Sequence, residues 1–517
     1  MKTSVHLVAL GISASLLSGC FSGNQKPNIE VAQPELTQIV TSQAVLTASV
    51  KDKDNNLTEI RWQQVSGPTS AILHVEGKQD QRIEVDLPNI PGTYTFKITA
   101  EDKFKTKDEA TFTVNAQSVE QVIFPKLDEL LKQNFESANA RTINMSALID
   151  FNIPNVVWRG ALGETHHGTG IPMTSEQQFR IASISKTLSA AVVFKLIEQG
   201  RLSLDTTLAE LITNDDMPSG FVVDDFYDDG QQKYGGKLTV RQLLDQTSGL
   251  DDFISYLSEP DSPDSRAMLE ALSGEDMNVP DIWHADLIIK EFLERGVTRN
   301  RTHKPGEVYS YTNTNIDLLA WAISKYLNKP FEQLLHEMVF VPLNMSMTYM
   351  DLHEAKVGDG PVDHYFYIPV ESWIAPILSG NHNILELRVN TSFIWAGGGI
   401  VSTLDDLNRF FKALKEKTFI TDPVLNQVLQ SHWIDVSEDE GHKSYYGLAL
   451  EKEVFPTYSV VGHNGFWGSS AMNVEPLNIR IVSWIGQANT EVFFNFEQQA
   501  IKYIQDLGFN GKQPLVQ

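Results

Sequence analysis

The residues best suited to chemistry stand in Phe179-Arg-Ile-Ala-Ser183-Ile-Ser-Lys186-Thr, which opens an apolar run through Leu188, Val192, Val193, Leu196 and Ile197 to Gly200. Read as a helix, this run puts Ser183 and Lys186 one turn apart on the same face. The serine then sits at the helix N-terminus, where unpaired N–H groups and the helix dipole stabilise developing negative charge. A lysine in apolar surroundings has its charged form disfavoured, so it can take the serine's proton. Together they make an activated nucleophile. The plain alternative is an N-cap serine beside a surface lysine, but this is the only Ser-x-x-Lys in the chain's 517 residues.

A second group lies in Lys304-Pro-Gly-Glu-Val-Tyr-Ser-Tyr311-Thr-Asn313, a turn leading into a helix over 316–326. A tyrosine near a lysine can be depressed in pKa and act as general base. Asn313 can offer its amide to a substrate carbonyl. The similar Tyr326-Leu-Asn328 falls at that helix's end and reads as a C-terminal cap. The third group is Val460-Val-Gly-His463-Asn-Gly465-Phe466-Trp467. There Gly465 on a strand admits close approach of substrate backbone, and His463 supplies a titratable group. His166-His167-Gly168 has the same spacing but lies among turn residues and reads as surface.

The elements that must position these groups follow from hydrophobic periodicity. Phe124, Leu127, Leu131 and Phe135 recur at helical spacing, as do Phe493, Phe496, Ala500, Ile504 and Leu507 before Gly508. Residues 469–474 and 479–486 read as paired strands across Glu475-Pro-Leu-Asn478. From residue 117 onward the pattern is therefore an α/β plus all-α unit, large enough for a sizeable core. Acidic, irregular stretches at 213–237 and 259–281 read as lids or insertions shaping a cleft.

Residues 27–116 differ. Leu46-Thr-Ala-Ser-Val50, Tyr94-Thr-Phe-Lys-Ile-Thr-Ala100 and Ala110-Thr-Phe-Thr-Val114 alternate apolar with polar, and Asn55-Asn56, Gly67-Pro68 and Pro91-Gly92 mark turns. Short alternating strands in so few residues predict a small β-sandwich. Trp62-Gln-Gln-Val-Ser-Gly-Pro68 and Pro91-Gly-Thr-Tyr-Thr-Phe96 resemble bacterial Ig-like domains of the PKD type, which implies a spacer or adhesive module that contacts cell wall or protein.

Before the spacer at 21–26, residues 1–20 read as an export signal: Lys2, an apolar stretch Leu7–Leu17, then Leu17-Ser18-Gly19-Cys20. This resembles the lipobox of bacterial lipoproteins, implying lipidation at Cys20 and attachment to the membrane by a lipid anchor. Cys20 is the chain's only cysteine, so an internal disulfide is impossible. Phe21 stands where an Asp would resemble an inner-membrane retention signal, so the expectation is the cell envelope, at the outer membrane. The formal charge of −25, from 66 acidic against 41 basic residues, argues against nucleic-acid binding.

Taken with Leu238-Thr-Val-Arg-Gln-Leu-Leu-Asp-Gln-Thr-Ser-Gly-Leu250 and the glycine-rich Trp395-Ala-Gly-Gly-Gly-Ile-Val-Ser-Thr-Leu-Asp-Asp-Leu407, the three motifs resemble the superfamily of class C β-lactamases, D-alanyl-D-alanine carboxypeptidases and related esterases. That resemblance covers residues 117–517 and implies a β-lactamase-like fold, an antiparallel sheet flanked by helices. It implies that Ser183 attacks a carbonyl, that Lys186 and Tyr311 share the proton work, and that Asn313, His463 and Gly465 contact substrate. It also implies an oxyanion hole from the N–H groups of Ser183 and Phe466, and no cofactor or metal. His463 occupies the lysine position of true class C β-lactamases, which points away from that activity. Gln246 replaces a common histidine and reads as structural. The implied function is acyl-serine hydrolysis of a small peptide, amide or ester. A D-alanyl-D-alanine carboxypeptidase-like peptidase of cell-wall peptides comes first and an esterase or amidase second. A β-lactamase and an inactive binding protein follow. Phe466-Trp467 adds bulk that weakens the carboxypeptidase reading.

Overall fold

The computed structural model describes residues 23–137, 143–253, 282–299, 301, 303–363, 365–366, 385–386, 391–439, 441–486, 491–509 and 511. They divide into two compact units, one reaching Gln117 and one starting at Ser118. Cys20 and residues 259–281 lie outside the described residues. Among those described, no helix is long and apolar enough to cross a membrane.

The first unit is all strand. Its larger sheet has four strands in the order Glu35–Ile39, Lys107–Gln117, Gly92–Asp102, Leu57–Ser66. A three-stranded sheet is formed by Gln43–Thr47, Arg82–Asp86 and Ile72–His74. The alternation seen in the sequence is the cause: Tyr94, Phe96, Ile98 and Ala100 are all buried, facing Phe112 and Val114 on the neighbouring strand or the opposite layer. The Trp62 ring packs on Phe112 at 5.4 Å, and its indole N–H donates to the Asp80 carbonyl at 2.8 Å.

The second unit is built on an eight-stranded, wholly antiparallel sheet. In chain order its strands are β1 (Asn144–Ile153), β2 (Val156–Gly163), β3 (Ile434–Asp439), β4 (His442–Tyr446), β5 (Glu451–Val454), β6 (Ser459–Gly465), β7 (Ser469–Glu475) and β8 (Ile479–Ile485). Across the sheet they run β2-β1-β8-β7-β6-β5-β4-β3. Every residue of β8 is buried, because both faces of the sheet are covered. Helices α1 (Phe124–Ser137) and α6 (Glu491–Asp506) pack together on one side, where Glu497 accepts from Ser483 at 2.7 Å.

On the other side lie α2 (Ile184–Glu198), α3 (Ala285–Arg295), α4 (Thr314–Leu327) and α5 (Leu404–Lys415). Trp484 of β8 stacks on Phe179 at 5.2 Å there, and Arg480 reaches Asp150 and Asn408 in a buried polar cluster. The terminal helices and the β7–β8 pair match the sequence reading. The acidic stretch 213–237 does not form a lid. It makes short 3₁₀ turns whose Val223, Phe226 and Tyr227 are buried in the helical core, because its few apolar residues outweigh its charged ones in deciding where the backbone lies.

Candidate active site

Ser183 is aimed by the chain on both sides of it. Phe179–Arg180 pairs with Ile400–Ser402, and the Ile181 N–H donates to the Ile400 carbonyl at 3.0 Å. Ala182 then takes a left-handed conformation, φ +45°, unusual for a residue with a side chain. This turns the backbone sharply into α2, with Ser183 at the N-cap. Ser183 makes no side-chain capping bond, so its hydroxyl is available to Lys186 and Tyr311. The polar residues of α2 hold it in register. Ser185 accepts from Ile400 N–H at 3.2 Å, Thr187 donates to Ala449 O at 2.7 Å, and Ser189 donates to Ala396 O at 2.8 Å.

Lys186 is fully buried, and its ammonium makes three bonds: to Ser183 Oγ at 3.0 Å, Asn313 Oδ1 at 2.6 Å and the Gly397 carbonyl at 2.8 Å. Burial drives its pKa down to about 8, against the opposing pull of Asp317, Asp252 and Glu451. Its bonding partners are themselves anchored. Gly397 N–H donates to Asp317 at 2.8 Å, and Asn313 Nδ2 donates to Asp252 at 3.1 Å.

One expectation needs correction here. Tyr311 is not depressed in pKa. Burial, with Glu451 adding to it, pushes its hydroxyl well above the ordinary tyrosine value, although its hydrogen bond to Ser183 works the other way. The lysine nitrogen lies over the Tyr311 ring, 4.9 Å from its centre. Tyr311 therefore rests as a neutral phenol bonded to the nucleophile, and Lys186 is the better base. The Tyr311 residue as a whole is nonetheless 36% exposed. Asn313, the N-cap of α4, has its amide oxygen on Lys186 and its amide nitrogen on Asp252. It fixes the lysine in place, and because its amide nitrogen carries two hydrogens, the substrate-orienting role read from the sequence is compatible with holding both Lys186 and Asp252.

The opposite wall is strand. Gly465 ends β6 against the residues just before Ser183: a Cβ there would fall 2.3 Å from the Ile181 carbonyl oxygen and 2.2 Å from Ser469 Oγ. Only glycine allows this approach. Phe466 follows directly and opens the turn into β7, closed by the Gly468 N–H bond to the Gly465 carbonyl at 3.0 Å. The Phe466 ring is 60% exposed and meets buried Trp467 edge-on at 5.3 Å.

His463 is placed differently from the sequence reading. It is wholly buried, with Nδ1 2.6 Å from the Asn464 carbonyl and Nε2 3.3 Å from the Tyr446 hydroxyl. A carbonyl only accepts, so Nδ1 carries the proton and Nε2 accepts from Tyr446. Burial, reinforced by Lys186, holds its pKa down to about 3. His463 is a neutral packing and hydrogen-bonding residue behind Tyr311, whose ring centre is 6.3 Å away, and not a cation facing the substrate.

The remaining readings fall into place. Gln246 is buried, with φ +62°, and its side-chain oxygen accepts from Thr312 N–H at 3.1 Å and Asn315 at 2.6 Å, bracing the Tyr311 segment as a structural residue. Asn328 is the left-handed C-cap of α4. His166 is exposed and meets Asp363 at 2.7 Å. Sequence reasoning missed Asp317, Asp252, Gly397 and Glu451. Asp317 carried a usable signal, an acid within an otherwise apolar helix four residues after Asn313.

Comparison with known proteins gives the family and the fold. A family model described as Beta-lactamase matches residues 132–499, and one described as K319L-like, PKD domain matches residues 29–116. An uncharacterised protein of Mycobacterium tuberculosis is 26% identical over 247 residues, covering 47% of this chain, and the chain spans 55% of that protein's length. Penicillin-binding protein 4* of Bacillus subtilis is 24% identical over 358 residues, 66% of this chain and 69% of that protein. The solved D-amino acid amidase from Ochrobactrum anthropi SV3 shares the fold, with a TM-score of 0.57 at 19% identity, covering 74% of this chain and 99% of that one. The first match spans most of the sequence and encloses Ser183, Lys186, Tyr311 and His463, so this chain belongs to the Beta-lactamase family and carries a PKD domain ahead of that fold.

Proposed function

We propose that this protein is an exported serine hydrolase that forms an acyl-enzyme on Ser183. The observation that carries this reading is the Lys186 ammonium 3.0 Å from Ser183 Oγ in a buried site that lowers its pKa to about 8. Neutral Lys186 takes the serine proton as Oγ attacks the substrate carbonyl. The oxyanion is received at the N-terminus of α2, with Phe466 N–H opposite. The Tyr311 phenol, hydrogen-bonded to Ser183, passes a proton to the departing amine or alcohol and is refilled from Lys186. Water then attacks the ester with the same groups acting in reverse, returning free Ser183 and releasing the acid.

The substrates this reading puts first are peptides of the D-alanyl kind found in cell wall. That choice is supported by the envelope address read from Leu7–Leu17 and Cys20 and by similarity to Penicillin-binding protein 4*. The same address supports a lipid anchor at Cys20 in the outer membrane, with the PKD unit as spacer. An esterase or amidase is the second reading, favoured by neutral His463, which offers no charge to a terminal carboxylate, and by the exposed Phe466 ring. Parallel hydrolysis of a D-alanyl-D-alanine peptide and a short-chain p-nitrophenyl ester, with Ser183→Ala as control, tests both. Release of D-alanine by the native protein alone supports the first reading, and ester turnover without it supports the second. Turnover surviving in Ser183→Ala contradicts the acyl-serine mechanism.

A further inference from the structure

The strand wall carries a carboxylate that acyl-serine chemistry does not use. Glu451 opens β5 opposite Gly462 of β6, and its side chain turns toward the next two residues of that strand. One oxygen accepts from Asn464 N–H at 3.0 Å, and the other lies 3.4 Å from His463 Nδ1. Its charge bears on Tyr309, Tyr311, Tyr446 and Lys186, and burial lifts its own pKa to about 7, against the pull of its Asn464 hydrogen bonds and of Lys186.

Among the described residues no cation is bonded to this carboxylate. His463 is neutral, and the three donors of Lys186 are already committed to Ser183, Asn313 and Gly397. Among the described residues no lysine or arginine makes an ion pair with Glu451. Its side chain is nonetheless 22% exposed, so a ligand can reach it. A second acceptor lies one step along β6: the buried Asn464 Oδ1 receives no hydrogen bond among the described residues. A partly desolvated carboxylate without a cation is costly, and a ligand cation relieves that cost. A ligand carboxylate meets repulsion instead.

We propose that Glu451 is a substrate-recognition residue that receives an ammonium group, so that the preferred substrates are amides, peptides or esters bearing a free amine near the scissile carbonyl. This rests on the acyl-serine reading of Ser183 and names the substrate class for that same site. It favours the esterase or amidase reading over that of a D-alanyl-D-alanine peptidase, whose substrate ends in a carboxylate.

The test compares the full chain with Glu451→Gln on alanine p-nitroanilide and its N-acetyl counterpart, both enantiomers, at pH 7.5. Labelling of Ser183 by a fluorophosphonate is read in parallel. The native protein is expected to favour the free amine by about tenfold or more in kcat/KM, the preference shrinking with added salt. In Glu451→Gln that ratio falls toward one, through the KM of the amine substrate. Equal or better turnover of the acetylated substrate by the native protein, turnover of neither substrate, or a ratio that survives Glu451→Gln overturns the proposal. If the variant does not fold, the native ratio and its salt dependence decide alone. Ser183 labelled without amine preference sinks this inference and leaves the acyl-serine reading standing. An unlabelled Ser183 sinks both.

Discussion

On the helical wall of the cleft, Lys186 shares its donors among Ser183, Asn313 and Gly397, and each of the last two is tied in turn to Asp252 or Asp317. On the strand wall, among the described residues, Glu451 has no cation bonded to it, Asn464 Oδ1 has no donor, and His463 is satisfied but neutral. A fully paired buried network resists rearrangement, and its geometry is set before substrate arrives. A wall left short of one charge is completed by what binds there. The difference assigns the reaction to the helices and the selection of substrate to the strands.

The sharpest way to break this division is Lys186→Ala. It removes the base and the centre of the helical network together, and kcat/KM for a simple ester is expected to fall roughly 1,000-fold or more. If activity survives, the chemistry does not belong to that wall. Next in size is Gly465→Ala, where the new methyl collides with the Ile181 carbonyl and pries the two walls apart. Stability should drop by about 1–3 kcal/mol in urea unfolding, with a larger loss in kcat than in KM. Asp317→Ala leaves the buried Gly397 N–H without its acceptor. It should cost about 1–3 kcal/mol and, by loosening Gly397, weaken the hold on Lys186.

The smallest effect is the most diagnostic for how the walls couple. Burial depresses Lys186, so its proton-accepting form is present above about pH 8 and is lost as pH falls below it. Ester hydrolysis should therefore rise with pH to a plateau above that value. Glu451 opposes the depression, so Glu451→Gln should shift the midpoint to lower pH. A midpoint that stays put would mean that the two walls do not share an electrostatic field.

What the sequence made legible follows the same division. Ser183-x-x-Lys186 and Tyr311-x-Asn313 are local: a helix turn or a two-residue step sets their spacing, and both met where expected. The β7–β8 pair and the terminal helices were equally plain, because their apolar periods match the layers that bury them. The protonation states were not legible. Tyr311 was expected low and stands high because burial dominates its neighbours, and local spacing does not report burial. His463 reads as titratable, yet burial, reinforced by Lys186, keeps it neutral, and local spacing does not report burial either. Glu451 gave no signal, since its strand carries Glu-Lys-Glu-Val with no distinguishing period, and only pairing with β6 brings it to the site.

The central claim is that Ser183 becomes covalently acylated, and intact mass spectrometry of the full chain tests it most directly. The protein is incubated with a penicillin and, separately, with a fluorophosphonate, beside Ser183→Ala. The account predicts one fluorophosphonate adduct on the native protein and none on the variant, with a penicillin adduct as well if cell-wall peptides are the substrate. An unmodified native protein, or equal labelling of Ser183→Ala, would contradict it.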